Sequence, residues 1–194
     1  MQRNHPASTR VSALRRVIGG LITAVAVTAA AVLTGAATAQ AEPSPVNDSF
    51  ENSPATRWRL WTTGRALAAF SDTTTPRSGA VAAYLLPLAD WASVERSVTL
   101  DPASGFRTCD ASVYVAKSFS PGGTVYLQII DAATWTYITA TTAVAPSHLD
   151  GYRQVKFAKF ARTTATMVFR IGFENNKGGL IVDDFSISCS NPLQ

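Results

Sequence analysis

Histidine is almost missing from this chain. Beyond residue 41 there is one, His148, in Pro146-Ser147-His148-Leu149-Asp150-Gly151. A Ser, a His and an Asp crowded into one such stretch are turn formers; the members of a triad are brought together by the fold. Zinc-ligand spacing is absent, and so is a glycine loop able to cradle phosphate. Beyond Glu42, at the start of the domain, glutamate is limited to Glu51, Glu95 and Glu174. Counting alone leaves room for a two-carboxylate glycosidase, but a lyase cleft rich in histidine has no material here. No stretch has the apolar period of a long amphipathic helix, and no internal repeat is present.

The net charge of +4 is also misleading. Arg3, Arg10, Arg15 and Arg16 open a stretch without acids, an apolar run follows from Val17 to Ala37, and Ala37-Thr38-Ala39 and Ala39-Gln40-Ala41 follow that. This is the order of a secretory signal peptide, with cleavage expected after Ala41. An uncleaved anchor is the alternative, weakened by the Ala/Gly/Thr content of the run. Arg15-Arg16 fits twin-arginine export poorly. Of 17 basic residues four lie in the leader, so the remaining chain carries 13 basic against 13 acidic residues. No nucleic-acid or membrane footprint remains after cleavage. Residues 42–194 have the length of one domain, expected to be secreted and monomeric.

Cysteine stops at two, Cys109 and Cys189. In an exported protein an even pair reads as a disulfide, with two buried thiols as the alternative. A bridge across so long a loop is worth about 4 kcal/mol in the loop-entropy model.

What the chain does have is alternation. Short apolar-alternating runs are split by Gly, Pro, Asn and Asp. Strands are expected at Trp58–Thr62, Leu67–Ser71, Ala80–Leu86, Ser93–Leu100, Thr108–Ala116, Thr124–Asp131, Trp135–Thr142, Tyr152–Phe160, Thr166–Glu174 and Leu180–Cys189. Turn chemistry separates them, as in Thr75-Pro76-Arg77-Ser78-Gly79 and Ser120-Pro121-Gly122-Gly123. About ten strands in one domain predict an all-β fold, a two-sheet antiparallel β-sandwich of the jelly-roll kind.

Strand phase assigns faces. Cys109, Ala111, Val113 and Val115 point inward, as do Val125, Leu127 and Ile129, and Met167, Phe169, Ile171 and Phe173. Cys189 is inward in its own strand, which predicts that the two cysteine strands are neighbours. In the last strand Ile181, Phe185, Ile187 and Cys189 share the apolar face with Asp183, an expensive place for a carboxylate unless it is paired or metal-bound. Trp58 and Trp61 have opposite phase, so one of them is core. Lys156 and Lys159, beside Phe157 and Phe160, suit a guarded edge.

Three segments resemble the carbohydrate-binding modules of the cellulose- and xylan-binding jelly-roll type, within the galactose-binding-like fold. They are Asn47-Asp48-Ser49-Phe50-Glu51, Arg77-Ser78-Gly79, and Ile181-Val182-Asp183-Asp184-Phe185-Ser186-Ile187. Ser93–Leu100 and Tyr152-Arg153-Gln154-Val155 are similar to further family strands in the same order. The resemblance implies a structural calcium held by Glu51 and Asp183 with carbonyls around Ser49 and Ser78; the mixed oxygens suit that ion. Neutralisation of Asp183 by Arg77, or by backbone N–H groups, is the alternative.

Sugar rings stack their C–H faces on aromatic rings and hydrogen-bond to planar polar groups. Outward residues of that type are Tyr114, Tyr126, Gln128, Arg170 and Glu174, which form one strip if their strands share a sheet. Trp91, Trp135 and Tyr137 are further candidates. Each aromatic can equally be core packing, and Arg170–Glu174 a surface ion pair. The expected function is non-catalytic binding of a polysaccharide or cell-wall glycan. An extracellular structural or adhesion protein with a protein partner is the alternative, and a small secreted glycan-active enzyme the third reading.

Overall fold

Period-two alternation commits most of the chain to strands that bury one face. The computed structural model describes residues 46–100, 108–119, 122–161, 166–174 and 178–190. The expected leader lies outside them, as do Ser120 and Pro121 of the expected Ser120-Pro121-Gly122-Gly123 turn. Among the described residues the strands are β1 Val46–Asp48, β2 Trp58–Thr62, β3 Leu67–Ser71, β4 Ala82–Leu86, β5 Trp91–Thr99, β6 Thr108–Lys117, β7 Thr124–Asp131, β8 Tyr137–Val144, β9 Arg153–Lys156, β10 Phe160–Ala161, β11 Thr166–Glu174 and β12 Leu180–Ser190. A 3-10 turn, Pro54–Thr56, precedes β2.

Two antiparallel sheets result, a β-sandwich of the jelly-roll kind. One runs β10-β6-β12-β4-β3, with β1 added to β12 and β9 to β6; the other runs β2-β5-β11-β7-β8. The facing sides share a core that includes Phe50, Trp58, Phe157, Phe160, Phe169 and Phe185. Phe169 packs edge-on against Phe157, Phe160 and Phe185 at 5.4–5.7 Å. Each such buried ring is worth about 1.5–3 kcal/mol of transfer free energy.

β6 and β12 are neighbours, with Cys109 opposite Cys189 and the two bonded. The strand expected over Tyr152–Phe160 is instead two pieces, β9 and β10, both on the edge of β6. The chain leaves the ladder between them, although Phe157 N–H still reaches the Ala111 carbonyl at 2.9 Å. Its lysines are exposed and its phenylalanines buried. The strand expected from Trp135 starts at Tyr137, because Trp135 sits at φ 56° in the β7–β8 turn.

The last strand corrects the expected phase. Leu180 and Val182, not Ile181, enter the main core, and so do Phe185 and Ile187. The register against β6 shifts between Asp183 and Ser186, with Asp184 at φ 47°. One extra residue in a strand reverses its faces. Ile181 and Asp183 therefore stand on the outer side of the seven-stranded sheet. Asp183 is nevertheless fully buried, because the loop before β4 folds over it.

Candidate functional site

The outer face of the five-stranded sheet gathers most of the expected binding residues. Register places them in rows. Arg59, Glu95, Arg170, Gln128 and Ala140 cross β2, β5, β11, β7 and β8 in one row. Trp61, Ser93, Gly172, Tyr126 and Thr142 form the next, and Trp91, Glu174, Thr124 and Val144 the one after. Ser97, Val168 and Ile130 lie on the other side of the Arg170 row. Successive rows are two residues apart, so the four rows span about 20 Å along the strands.

The polar row is a ladder. Arg170 Nε donates to Glu95 Oε1 at 2.6 Å and Nη1 to Gln128 Oε1 at 3.4 Å; Ser93 Oγ lies 3.3 Å from the same Glu95 oxygen. Glu95 is buried and Arg170 half-buried, so the pair holds its geometry. The alternative of an Arg170–Glu174 ion pair gives way to this one. Glu174 accepts instead from the Tyr126 hydroxyl at 2.8 Å, and that bond raises the tyrosine pKa.

Aromatics flank the ladder. Trp91 packs against Tyr126 with ring centroids 5.0 Å apart and planes at 55°. Trp91 covers Gly172, where a Cβ would stand 2.1 Å from Cζ2. Trp61 opens to solvent at 43% exposure while Trp58 is core. At the far end Trp135 reaches across from the β7–β8 turn. With Ala55 and Thr56 of the 3-10 turn it closes a concavity of about 510 Å³ over Arg59, Glu95 and Val168. Tyr137 is 60% exposed and pairs with Ile130 on the edge of the same sheet.

That wall is anchored by Asp48. Its carboxylate accepts from Arg57 Nε at 2.9 Å, Trp58 Nε1 at 3.0 Å, Arg96 Nη1 at 2.7 Å and Phe50 N–H at 2.9 Å. Burial pushes the Asp48 pKa up. The bonds from Arg57, Phe50 and Trp58 and the charge of Arg96 outweigh it and hold the group below the usual carboxylate value.

Tyr114 is not part of this strip. It lies on β6 in the other sheet, with the Arg77 guanidinium 3.6 Å from its ring centroid. The residues that strand phase did not single out are Trp61, Glu95, Ser93 and Arg59. The opposite phases of Trp58 and Trp61 were the signal for the first; nothing local marked the others.

At the seam where the resemblance implies calcium, Asp183 and Glu51 both meet the turn before β4. Asp183 Oδ2 accepts from the N–H groups of Arg77 and Ser78 at 2.7 and 3.1 Å, and Oδ1 from Asp184 N–H at 2.8 Å. Burial raises its pKa, and the backbone bonds oppose that. Glu51 Oε1 accepts from Ala80 and Val81 N–H at 2.9 and 2.8 Å, across Gly79, where any Cβ would collide with it. Ser49 and Ser78 line one small concavity beside Asp184. Both carboxylates thus clasp the 77–81 turn through N–H groups, where calcium would need converging oxygens.

Ser147 and Asp150 bond to each other's backbone across the His148 turn, as turn formers do. Glu95 and Glu174 are each engaged elsewhere, with Arg170 and Tyr126, and not with each other.

No family model and no curated protein matches the sequence. Solved structures do match, and they share the jelly-roll fold of this chain. TmCBM61, solved with β-1,4-galactotriose, matches at TM-score 0.51 and 14% identity, over 72% of this chain and 92% of that one. The CBM22-1 xylan-binding domain of Paenibacillus barcinonensis Xyn10C matches at TM-score 0.52 and 11% identity, over 75% and 94%. The arabinose-bound α-L-arabinofuranosidase MgGH51 matches at 0.52 and 11%, over 71% of this chain but 24% of that larger one. At such identities the likeness is one of fold.

Proposed function

We propose that this is a secreted, non-catalytic glycan-binding protein that holds a polysaccharide chain along the outer face of its five-stranded sheet. The observation that carries the reading is the shared face itself: Trp61, Trp91 and Tyr126 beside the Glu95–Arg170–Gln128 ladder, with Trp135 at the far end. The rings would take the C–H faces of the sugars and the planar polar groups their hydroxyls. A span of about 20 Å suits several residues of a chain rather than one ring. Structures of the same fold solved as a xylan-binding domain and with galactotriose support the reading. The leader-like order of residues 1–41 supports export.

Affinity electrophoresis against soluble polysaccharides tests it. Retardation by at least one β-glycan is expected, reduced by Trp61→Ala. Unretarded migration on xylan, galactan, mixed-linkage glucan and hydroxyethyl cellulose alike would overturn the proposal.

A further inference from the structure

The seven-stranded sheet carries a second concavity on its own outer face. Ile181 on β12 pairs with Tyr84 on β4 and with Ala116 on β6, so the three stand in one row. Ala82, Ala116 and Ile181 form a small apolar cluster, against which Tyr84 and Tyr152 pack. Tyr152 directly precedes β9, whose Arg153 pairs with Val115. It therefore lies beyond Ala116, on the side away from Ile181. The two tyrosines bound an aliphatic floor from opposite sides.

Both rings are tethered. Tyr84 lies over Gly179, where a Cβ would come within 2.5 Å of the ring, and its hydroxyl is 3.3 Å from Ser118 Oγ. The Tyr152 hydroxyl donates to the Thr75 carbonyl at 2.7 Å. The open concavity has a volume of about 620 Å³, a size that holds small molecules in other proteins. Its rim carries hydroxyls from Ser71, Thr73 and Thr75 and the imidazole of His148. Among the described residues no carboxylate or guanidinium lines it. Lys117, which does, points its Nζ over the Phe173 ring at 4.7 Å, toward the core.

An aliphatic floor, tethered aromatic walls and an uncharged hydroxyl rim suit a ring with one apolar face and a hydroxylated edge. We infer that this cavity is a second glycan subsite, taking one or two uncharged sugar residues. Where the five-stranded sheet binds a chain as proposed above, on which this last step rests, one domain holds two glycan segments on opposite faces.

Amide chemical-shift mapping on the ¹⁵N-labelled protein, titrated with xylohexaose, cellohexaose and β-1,4-galactotriose, separates the two sites. Saturable shifts at Ala116, Ser118, Gly151 and Ile181 are expected, apart from those at Ser93, Tyr126 and Gly172. Tyr152→Ala should weaken the first set on the order of tenfold and leave the second within about twofold. His148→Ala, at an exposed position, is a second variant that spares the floor. The same spectra report whether each variant is folded. Shifts in the five-stranded set alone overturn the subsite and leave the proposed function standing. Shifts in the cavity set alone keep the subsite and remove the other reading. No saturable shift in the cavity set with any of these sugars overturns the inference.

Discussion

The indole of Trp91 covers Gly172 so closely that a Cβ there would meet Cζ2 at 2.1 Å. Gly172 therefore sets the height and tilt of Trp91 against Tyr126. Gly172→Ala should lift the indole, change the near-UV circular dichroism and weaken glycan binding on the order of tenfold. An unchanged tryptophan signal together with wild-type affinity would show that the seat is not needed.

Asp48 holds Arg96, which is 5% exposed, and the indole N–H of buried Trp58. Asp48→Ala leaves both without that acceptor and should cost about 3–5 kcal/mol in denaturant unfolding. The folded pKa of Asp48 is lowered, so its contribution is present above the unfolded carboxylate value and is lost as pH falls through the folded one. The wild-type advantage over Asp48→Ala should therefore shrink below about pH 4. A gap that stays constant in acid would contradict this.

Lys117 is 4% exposed, and burial pushes its ammonium down to about 8 from 10.5. Its charge is a cost to the folded state below that value. The cost is relieved as pH rises from the folded to the unfolded pKa. Lys117→Met should stabilise the protein by about 1–3 kcal/mol at pH 7, with the gain fading toward pH 10.5. Thermal melts of both proteins from pH 7 to 10.5 check the slope; a gain that grows with pH would show that the ammonium charge stabilises the folded state.

Chelation separates the two accounts of the 77–81 turn. With five N–H groups on Glu51 and Asp183, EDTA should leave the melting temperature within about 1 °C, since chelation lowers stability only where an ion binds the folded state. A fall of several degrees that calcium restores would place an ion there. Glu51→Gln should then be tested, because it keeps one carbonyl acceptor for the turn.

Much of the fold could be read from local pattern, because alternation reports directly which side of a strand is buried. The β2, β3, β7 and β11 bounds and the Cys109–Cys189 neighbourhood follow from it. The misreading in β12 has a specific cause. A bulge inserts one residue, Asp184 in the left-handed region, and the phase on one side of it says nothing about the other.

The sequence by itself determined that the chain builds a strand-rich sandwich with Tyr126, Gln128, Arg170 and Glu174 turned outward. Tertiary structure alone decided which outward residues meet. Period two separates inside from outside but does not say which sheet a strand joins, since that depends on pairings between segments distant in the chain. So Tyr114 went to one sheet and Tyr126 to the other, Glu95 replaced Glu174 as the partner of Arg170, and Trp61 joined the face that Trp91 caps.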